Sequence, residues 1–180
     1  GTVVGVAVDD LNGDRLTDIA VATSGDNASA VQVMEGDGAW SFSPALPLEL
    51  THELLGLSAT NEGGDDRPDV SLLDASDGSV RRYTLDPEGW AGPATFELTA
   101  YEADPGARML PQSDLNGDDT LELIIVGTPS ASSQDLVFYV LDDIVTHFPL
   151  SFGAFYAGLA NMNGDGATDI LAMEDDTLHL

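Results

Sequence analysis

The chain has 180 residues, with 32 acidic and 5 basic side chains, a formal net charge of −27, a hydrophobic share of 43% and no cysteine. Because a nucleic-acid surface demands clustered basic residues, this balance excludes nucleic acid as a partner, and it speaks against an anionic membrane surface. Disulfides, thiolate metal sites and cysteine nucleophiles are excluded. No apolar run approaches the ~20 residues of a membrane helix, so no membrane insertion is expected.

An acidic turn of nine residues recurs along the chain. Its copies occupy residues 10–18, 61–69, 114–122 and 161–169 and begin 51, 53 and 47 residues apart. Thirteen of the 32 acidic residues lie in these four windows. Self-similarity at a fixed period of this size indicates a repeat architecture.

Short β-rich segments flank each turn, and two further strand candidates separate successive turns. The strands are predicted at residues 3–8, 19–22, 30–35 and 42–50, then 70–73, 80–85 and 94–100, then 123–126, 136–141 and 144–150, and finally 155–159 and 170–173. No helical pattern is found. Four short strands per repeat are typical of a β-propeller blade, and a β-sandwich is the alternative.

The repeat divides the chain into one propeller segment of about three and a half blades. The blades are expected at residues 1–51, 52–102, 103–151 and, incomplete, 152–180. Because propellers close with ~4 to 8 blades, the remaining blades are expected from further chain or from another copy.

Trp40 and Trp90 fall 30 and 29 residues into their repeats, each after a glycine-containing turn. This shared spacing predicts that both indoles pack between neighbouring blades. A role as platforms for sugar rings is the alternative.

The turns carry oxygen donors at alternating positions. Side chains at positions 1, 3, 5 and 9 and the carbonyl at position 7 would converge on one cation, and a set of flexible hard oxygens favours Ca²⁺ over Mg²⁺. The predicted ligands are Asp10, Asn12, Asp14, the Leu16 carbonyl and Asp18 in the first turn; Asp114, Asn116, Asp118, the Thr120 carbonyl and Glu122 in the third; and Asn161, Asn163, Asp165, the Ala167 carbonyl and Asp169 in the fourth.

The second turn is degenerate, because Gly63 replaces a ligand and leaves only Asn61, Asp65 and Asp69. Glycine stands at position 4 of every turn, where we expect positive φ to fold the loop around the ion. Asx-rich surface turns without metal would explain any one copy, but they explain the regular recurrence poorly.

The unit, an apolar strand leading into Asp-x-Asn-Gly-Asp-x-x-x-Asp and then an aliphatic strand, resembles the FG-GAP/VCBS repeat of integrin α-subunit propellers and many bacterial secreted proteins. In the third unit, Ile-Ile-Val-Gly-Thr-Pro at 124–129 stands where that family has Gly-Ala-Pro, and Leu-Val-Phe-Tyr-Val at 136–140 resembles the aromatic strand that follows. The resemblance implies calcium-binding blades, usually in a ring of about seven, on extracellular adhesion or recognition proteins.

No catalytic constellation is found. His52-Glu53 begins like a zinc-protease motif, but Gly56 stands where the second histidine is needed. We therefore expect no enzyme but a calcium-stabilised module for extracellular adhesion, protein interaction or assembly, with other proteins, extracellular glycans or further copies of itself as partners. A carbohydrate-binding or polysaccharide-processing accessory module is the alternative. The calcium sites favour an extracellular or cell-surface location.

Overall fold

The structure of the chain, a computed structural model, is built from antiparallel β-sheets. It describes residues 1–25, 28–45, 47–60, 69–86, 88–97, 107–115, 122–127, 136–141, 144–149, 156–174 and 177–179, and this part of the chain contains no helix. The predicted all-β class is confirmed. Among the same residues, no helix with the length and apolarity needed to cross a membrane is found. The chain divides into two compact units, Gly1–Glu97 and Leu98–Leu180, and each is described separately.

The first unit contains two sheets. Sheet I consists of β1 (Thr2–Asp9), β2 (Asp18–Ser24), β3 (Ser29–Gly36), β4 (Phe42–Pro44) and β5 (Leu48–Leu50). Strands β1, β2 and β3 are paired in chain order, and both β4 and β5 pair with β3. Sheet II is a simple meander of β6 (Leu54–Thr60), β7 (Asp69–Asp74), β8 (Val80–Asp86) and β9 (Gly89–Phe96).

The second unit also contains two meanders. Sheet III consists of β10 (Arg108–Ser113), β11 (Glu122–Gly127), β12 (Leu136–Leu141) and β13 (Ile144–Pro149), and sheet IV of β14 (Tyr156–Ala160), β15 (Asp169–Glu174) and β16 (Thr177–His179). Each of the four sheets begins with a hairpin whose connection is one of the acidic turns.

Two predicted strands differ from the structure. The segment 42–50 is divided into β4 and β5 because its register against β3 changes by one residue between the pairs Met34–Pro44 and Val31–Leu48, and Pro47 has no amide with which to continue a ladder. Strand β9 begins at Gly89, five residues before the predicted start, because Asp86 pairs with Gly89 in a tight hairpin.

The first hairpins of sheets I and II have the same register. Adding 51 to the residue numbers of the pairs from Val3–Thr23 to Asp9–Asp18 gives the corresponding pairs of β6 and β7, including the irregularity after the first pair. The pairs between β14 and β15 follow the same register at an offset of 151. In sheet III the pair Ser113–Glu122 keeps this register, but it changes by one residue between Leu110 and Ser113, so three of the four hairpins share the pairing throughout.

The two faces of sheet I differ in burial. We name the face that carries Val3, Val6, Val8, Ile19 and Val21 the leading face, and the opposite face, with Gly5, Ala20, Ala22, Val31 and Val33, the trailing face; directly opposed residues of an antiparallel pair share a face. The trailing face is buried against Leu54, Leu57, Val70 and Leu72 of sheet II. By register, these four residues form the leading face of sheet II.

The contact between sheets I and II is close along their first strands. A Cβ added to Gly5 would lie 2.7 Å from the Cβ of Leu57, so only glycine lets β1 and β6 approach this far. The hydroxyl of Ser24 accepts a hydrogen bond of 2.8 Å from the Leu54 amide.

The same packing occurs within the second unit. Leu110, Ile124 and Val126 of sheet III form a cluster with Leu159 and Ile170 of sheet IV. Ile124 and Val126 correspond to Ala20 and Ala22 by turn position, and Leu159 and Ile170 correspond to Val8 and Ile19. In both units, therefore, the trailing face of one sheet covers the leading face of the next.

Candidate metal-binding turns

The first acidic turn is organised by hydrogen bonds from its own main chain. Asp10 Oδ1 accepts the amides of Gly13 and Asp14 at 2.9 and 3.0 Å, and Asp10 Oδ2 accepts the amide of Arg15 at 2.7 Å. Amides gathered on one carboxylate wind the chain around it, so position 1 is the centre of the loop.

Positions 3 and 5 continue this winding. Asn12 Oδ1 accepts the Asp14 amide at 2.9 Å, and Asp14 Oδ1 accepts the Leu16 amide at 2.8 Å. The Asn12 amide group also donates to Asp14 Oδ2 at 3.3 Å. Since a carboxylate has about four acceptor sites and an amide oxygen two, each of these groups keeps acceptor capacity for a cation.

Asp18, at position 9, begins β2 and is fully buried. Its Oδ2 accepts the Leu11 amide and its Oδ1 the Gly36 amide, both at 2.9 Å. Burial raises the pKa of Asp18, the two backbone hydrogen bonds oppose that shift, and the negative charges of Asp14 and Asp10 raise it further. Burial is the largest of these causes, and the neighbouring carboxylates of the turn add to it.

The fourth turn repeats the geometry of the first. Asn161 Oδ1 accepts the Gly164 amide at 2.7 Å, Asn163 Oδ1 accepts the Asp165 amide at 2.9 Å, and Asp165 Oδ1 accepts the Ala167 amide at 2.9 Å. Asp169 Oδ2 accepts the Met162 amide at 2.8 Å, as Asp18 accepts that of Leu11. The two turns thus share the hydrogen bonds from position 4 to 1, from 5 to 3, from 7 to 5 and from 2 to 9, while Asp10 also accepts the amides of Asp14 and Arg15.

The other two turns are described in part. In the third, Glu122 is buried and its Oε2 accepts the Leu115 amide at 2.6 Å, which is again the bond from position 2 to position 9. The predicted ligands Asn116, Asp118 and Thr120 lie outside the described residues. In the second turn, Asn61 and Asp65 also lie outside them, and Asp69 accepts a hydrogen bond from the Thr84 hydroxyl.

The positive φ expected of the glycine at position 4 is confirmed in the two turns whose glycine the structure describes. Gly13 and Gly164, both at position 4, have φ of 79° and 78°. Position 6 is also left-handed, at 68° for Arg15 and 101° for Gly166. The first turn therefore places an arginine in a conformation for which the fourth turn uses glycine.

Within the described residues, no group of three or more His, Cys, Asp or Glu side chains makes a ready-made metal site. Asp10, Asp14 and Asp18 of the first turn are among these residues, so the structure does not bring their three carboxylates together as such a group. The predicted donors of the first and fourth turns are all oxygens, which is the donor chemistry that hard cations prefer.

The two tryptophans occupy different structural positions, contrary to the prediction from their spacing. Trp90 lies in β9 opposite Leu85 and packs against the core between sheets I and II, as predicted. Trp40 does not pack: it lies in the loop between β3 and β4, is 96% exposed and has a φ of 66°. The loop lengths differ, since Gly36 pairs with Phe42 whereas Asp86 pairs with Gly89.

The Trp40 loop is held by Asp37. Asp37 Oδ1 accepts the amides of Ala39 and Ser41 at 2.8 and 3.1 Å, and these bonds hold the pKa of Asp37 below its usual value. Trp40 and Phe42 border a hollow of about 330 Å³, whose other side is formed by residues 15–17 of the first acidic turn. An exposed aromatic pair thus stands beside a candidate metal turn.

Sequence patterns did not identify a buried ionic cluster in sheet II, which lies at the end of β7 away from the acidic turn. Asp74 is fully buried; its Oδ2 lies 2.9 Å from Arg81 Nε and 3.4 Å from His52 Nε2. Arg81 Nη2 also reaches the more exposed Asp77 at 2.9 Å, while Arg82 lies over the Phe96 ring. The only signal in the sequence was an aspartate directly after an apolar strand. His52 thus lies beside a buried carboxylate of sheet II.

No protein-family model matches the chain, and a search of curated proteins found no match.

Proposed function

We propose that the chain is a segment of a calcium-stabilised β-propeller of the FG-GAP/VCBS type that acts as a non-enzymatic scaffold for extracellular adhesion, protein interaction or assembly. The sheets would be its blades. The observation that carries the proposal is the recurrence of one hydrogen-bonded turn at the head of successive antiparallel sheets whose faces pack in one order. A β-sandwich pairs two sheets and gives no reason for this recurrence.

Calcium would serve this scaffold by neutralising the turns. In the first turn Asp10, Asn12, Asp14, the Leu16 carbonyl and Asp18 would hold it; in the fourth, Asn161, Asn163, Asp165, the Ala167 carbonyl and Asp169 would do so. The fourth set has one carboxylate fewer, so its affinity would be lower. A bound cation stabilises only the folded state, by about 2.7 kcal/mol at a hundredfold excess over Kd.

Packing links the turns to the rest of each unit. Asp18 holds Gly36 of sheet I, and Leu11 of the same turn is buried in the core between sheets I and II. In the second unit, the Thr168 amide donates to the Asp114 carbonyl at 3.1 Å, so the fourth turn contacts the start of the third. Order imposed on a turn by calcium would therefore reach the interface between sheets.

The test is thermal unfolding in calcium and in chelator, with native mass spectrometry to count the bound ions. We expect calcium to raise Tm and Asp14→Asn to reduce both the increase and the ion count by about one site. Glu49→Gln, which removes an exposed carboxylate from a strand, is the matched control and should change neither. An unchanged Tm on chelation would contradict the proposal.

Carbohydrate binding is the second candidate, and the exposed Trp40 favours it. An indole held outward beside Phe42 and a hollow of about 330 Å³ offers an apolar face to a sugar ring, and residues of the acidic turn supply polar neighbours. Titration with neutral oligosaccharides should shift the emission of Trp40 in a Trp90→Phe background. No response to any of them, or equal binding of the same sugar by Trp40→Ala in calorimetry, would rule this candidate out.

A further inference from the structure

We infer that Asn163 is a site of spontaneous deamidation, because the fourth acidic turn lacks the charge and the main-chain contacts that restrain the same reaction at Asn12 of the first turn. The product carries a carboxylate at position 3 of the fourth turn. The inference concerns the covalent chemistry of the chain and goes beyond the proposed function. Only its consequence for cation binding rests on the proposed calcium sites.

The reaction uses the glycine that follows the asparagine. The main-chain nitrogen of Gly164 attacks Cγ of Asn163 and gives up its proton to solvent, the bond from Cγ to Nδ2 breaks, and the side-chain nitrogen leaves as ammonia. Water then opens the resulting five-membered imide at either carbonyl and yields an aspartyl or an isoaspartyl residue. Glycine has no Cβ to hinder the approach of its nitrogen, and nothing lies within 4 Å of a Cβ added to Gly164.

The first and fourth turns both contain this Asn-Gly pair, but they differ in exposure. Asn12 is half-buried, whereas Asn163 and Gly164 are exposed. The contacts of the two asparagine side chains are otherwise alike: Oδ1 accepts the amide of position 5 at 2.9 Å in each turn, and Nδ2 donates to the carboxylate of position 5 at 3.3 and 3.0 Å. Water therefore reaches the reacting groups of the fourth turn more readily.

The charge beside the attacking nitrogen also differs. The Gly13 amide donates to the Asp10 carboxylate at 2.9 Å, whereas the Gly164 amide donates to the neutral side-chain oxygen of Asn161 at 2.7 Å. The attacking nitrogen must lose its proton, and a carboxylate at this distance opposes the negative charge that then develops. In the fourth turn the group that accepts this amide carries no charge.

The main chain of the first turn is held by more contacts. Asp10 accepts three amides of its turn, while Asn161 is described with one. Position 6 is Arg15 in the first turn and Gly166 in the fourth, and glycine moves between backbone conformations more freely. Because closure of the imide requires the main chain around the asparagine to rotate, the fourth turn reaches the reactive geometry more easily.

Deamidation would change the charge of the fourth turn. Its ligand positions include two carboxylates, Asp165 and Asp169, whereas the first turn has three. An aspartyl residue at position 163 brings the fourth turn to the same number. Since the calcium affinity of an oxygen site depends on the charge of its ligands, the aspartyl form would bind calcium more tightly. The isoaspartyl form has an additional methylene in the main chain and would not preserve the turn.

The test is incubation of the whole chain in chelator at mildly alkaline pH, followed by peptide mapping with tandem mass spectrometry. We expect Asn163 to deamidate severalfold faster than Asn12. In concentrated urea, where the fold is lost, the two rates should converge. Mapping also separates the Asn-Gly pair of the third turn, which lies outside the described residues. Equal rates in the folded chain, or a faster reaction at Asn12, would overturn the inference.

Variants at position 1 then test the role of charge. Asn161→Asp places a carboxylate where the first turn has Asp10 and should slow the deamidation of Asn163 severalfold, and Asp10→Asn should speed that of Asn12. Thr95→Asp, which adds the same charge at an exposed position of sheet II, is the control and should change neither rate. If Asp10→Asn fails to fold, Asn161→Asp decides alone. An unchanged rate at Asn163 in that variant would overturn the inference.

A further variant separates this inference from the calcium proposal. Asn163→Asp carries the aspartyl product in every molecule and should bind calcium at lower concentrations than the wild type in native mass spectrometry. No gain in calcium binding, in a chain that deamidates at Asn163, would contradict the consequence for the cation and leave the modification standing. A chain that binds calcium but is not modified at Asn163 in chelator would do the opposite.

Discussion

Asp18 contributes both to the electrostatics of the first acidic turn and to the structure of sheet I. It is buried, it accepts the amide of Leu11 within the turn and that of Gly36 at the end of β3, and the charges of Asp10 and Asp14 add to its burial to raise its pKa. Because its folded pKa lies above the unfolded value of about 3.9, the folded state binds the proton more tightly than the unfolded chain.

In the presence of chelator, protonation of the Asp18 carboxylate should therefore stabilise the folded protein as pH falls. The ionised carboxylate costs stability at neutral pH, and this cost is relieved as pH falls through the folded pKa toward the unfolded one. We expect the free energy of unfolding of the wild type, relative to Asp18→Asn, to rise between pH 7 and pH 4 in chelator. Saturating calcium should flatten this rise. Urea titrations at each pH measure this difference in free energy of unfolding. A difference that falls on acidification would contradict a raised pKa for Asp18.

Arg15 and Gly166 form a natural pair for testing backbone strain. Both occupy position 6 with positive φ, and nothing lies within 4 Å of a Cβ added to Gly166. Arg15→Gly should therefore raise the free energy of unfolding by up to about 1 kcal/mol, and Gly166→Ala should lower it by about 1 kcal/mol. Urea unfolding in chelator measures both without interference from metal. Equal effects in the same direction would show that φ is not the cause.

At the scale of elements, the close approach of β1 to β6 depends on one missing side chain. Gly5→Ala would force its new Cβ against Leu57, where both the Leu57 Cβ and its backbone lie within 2.8 Å, and should cost about 1–3 kcal/mol. Val6→Ala, at the next residue but on the open leading face, should cost under about 1 kcal/mol at low salt. Urea unfolding compares the two variants, and a costlier Val6→Ala would mean that the assigned faces are reversed.

Sequence alone predicts those elements whose local pattern decides their structure. The hairpins around the acidic turns were predictable, because apolar strands flank a turn with glycine at a left-handed position, as Gly13 and Gly164 show.

Other features depend on partners that a local pattern does not contain. Trp40 and Trp90 share a spacing but differ in burial, because the loop before Phe42 is longer than the one before Trp90. The ion pair of Asp74 with Arg81 joins two strands of sheet II, and nothing in either strand specifies it. The hydrogen bond from Gly36 to Asp18 crosses eighteen residues, so the turn pattern gave no sign that Asp18 also fixes the end of β3.

At the scale of the whole molecule, the net charge of −27 with only five basic residues means that most carboxylates repel one another without compensation. Raising NaCl from 0.01 to 0.15 M shortens the screening length from about 30 to about 8 Å and should raise Tm in chelator. At equal ionic strength, CaCl₂ should raise Tm beyond MgCl₂, because a site adds binding to screening. Equal increases in Tm with the two salts would mean that charge screening alone explains the stabilisation.

The meander topology has a consequence for how the chain reaches its fold. Apart from the pair of β3 and β5, every pairing joins strands adjacent in sequence, so these contacts close over short connections, and such contacts form fast. A chain emerging from the ribosome would complete sheet I before the residues of sheet II are available. Leu54 and Leu57 would then pack against a sheet that has already formed. Folding in the order of synthesis also limits the time in which strands from similar hairpins can exchange.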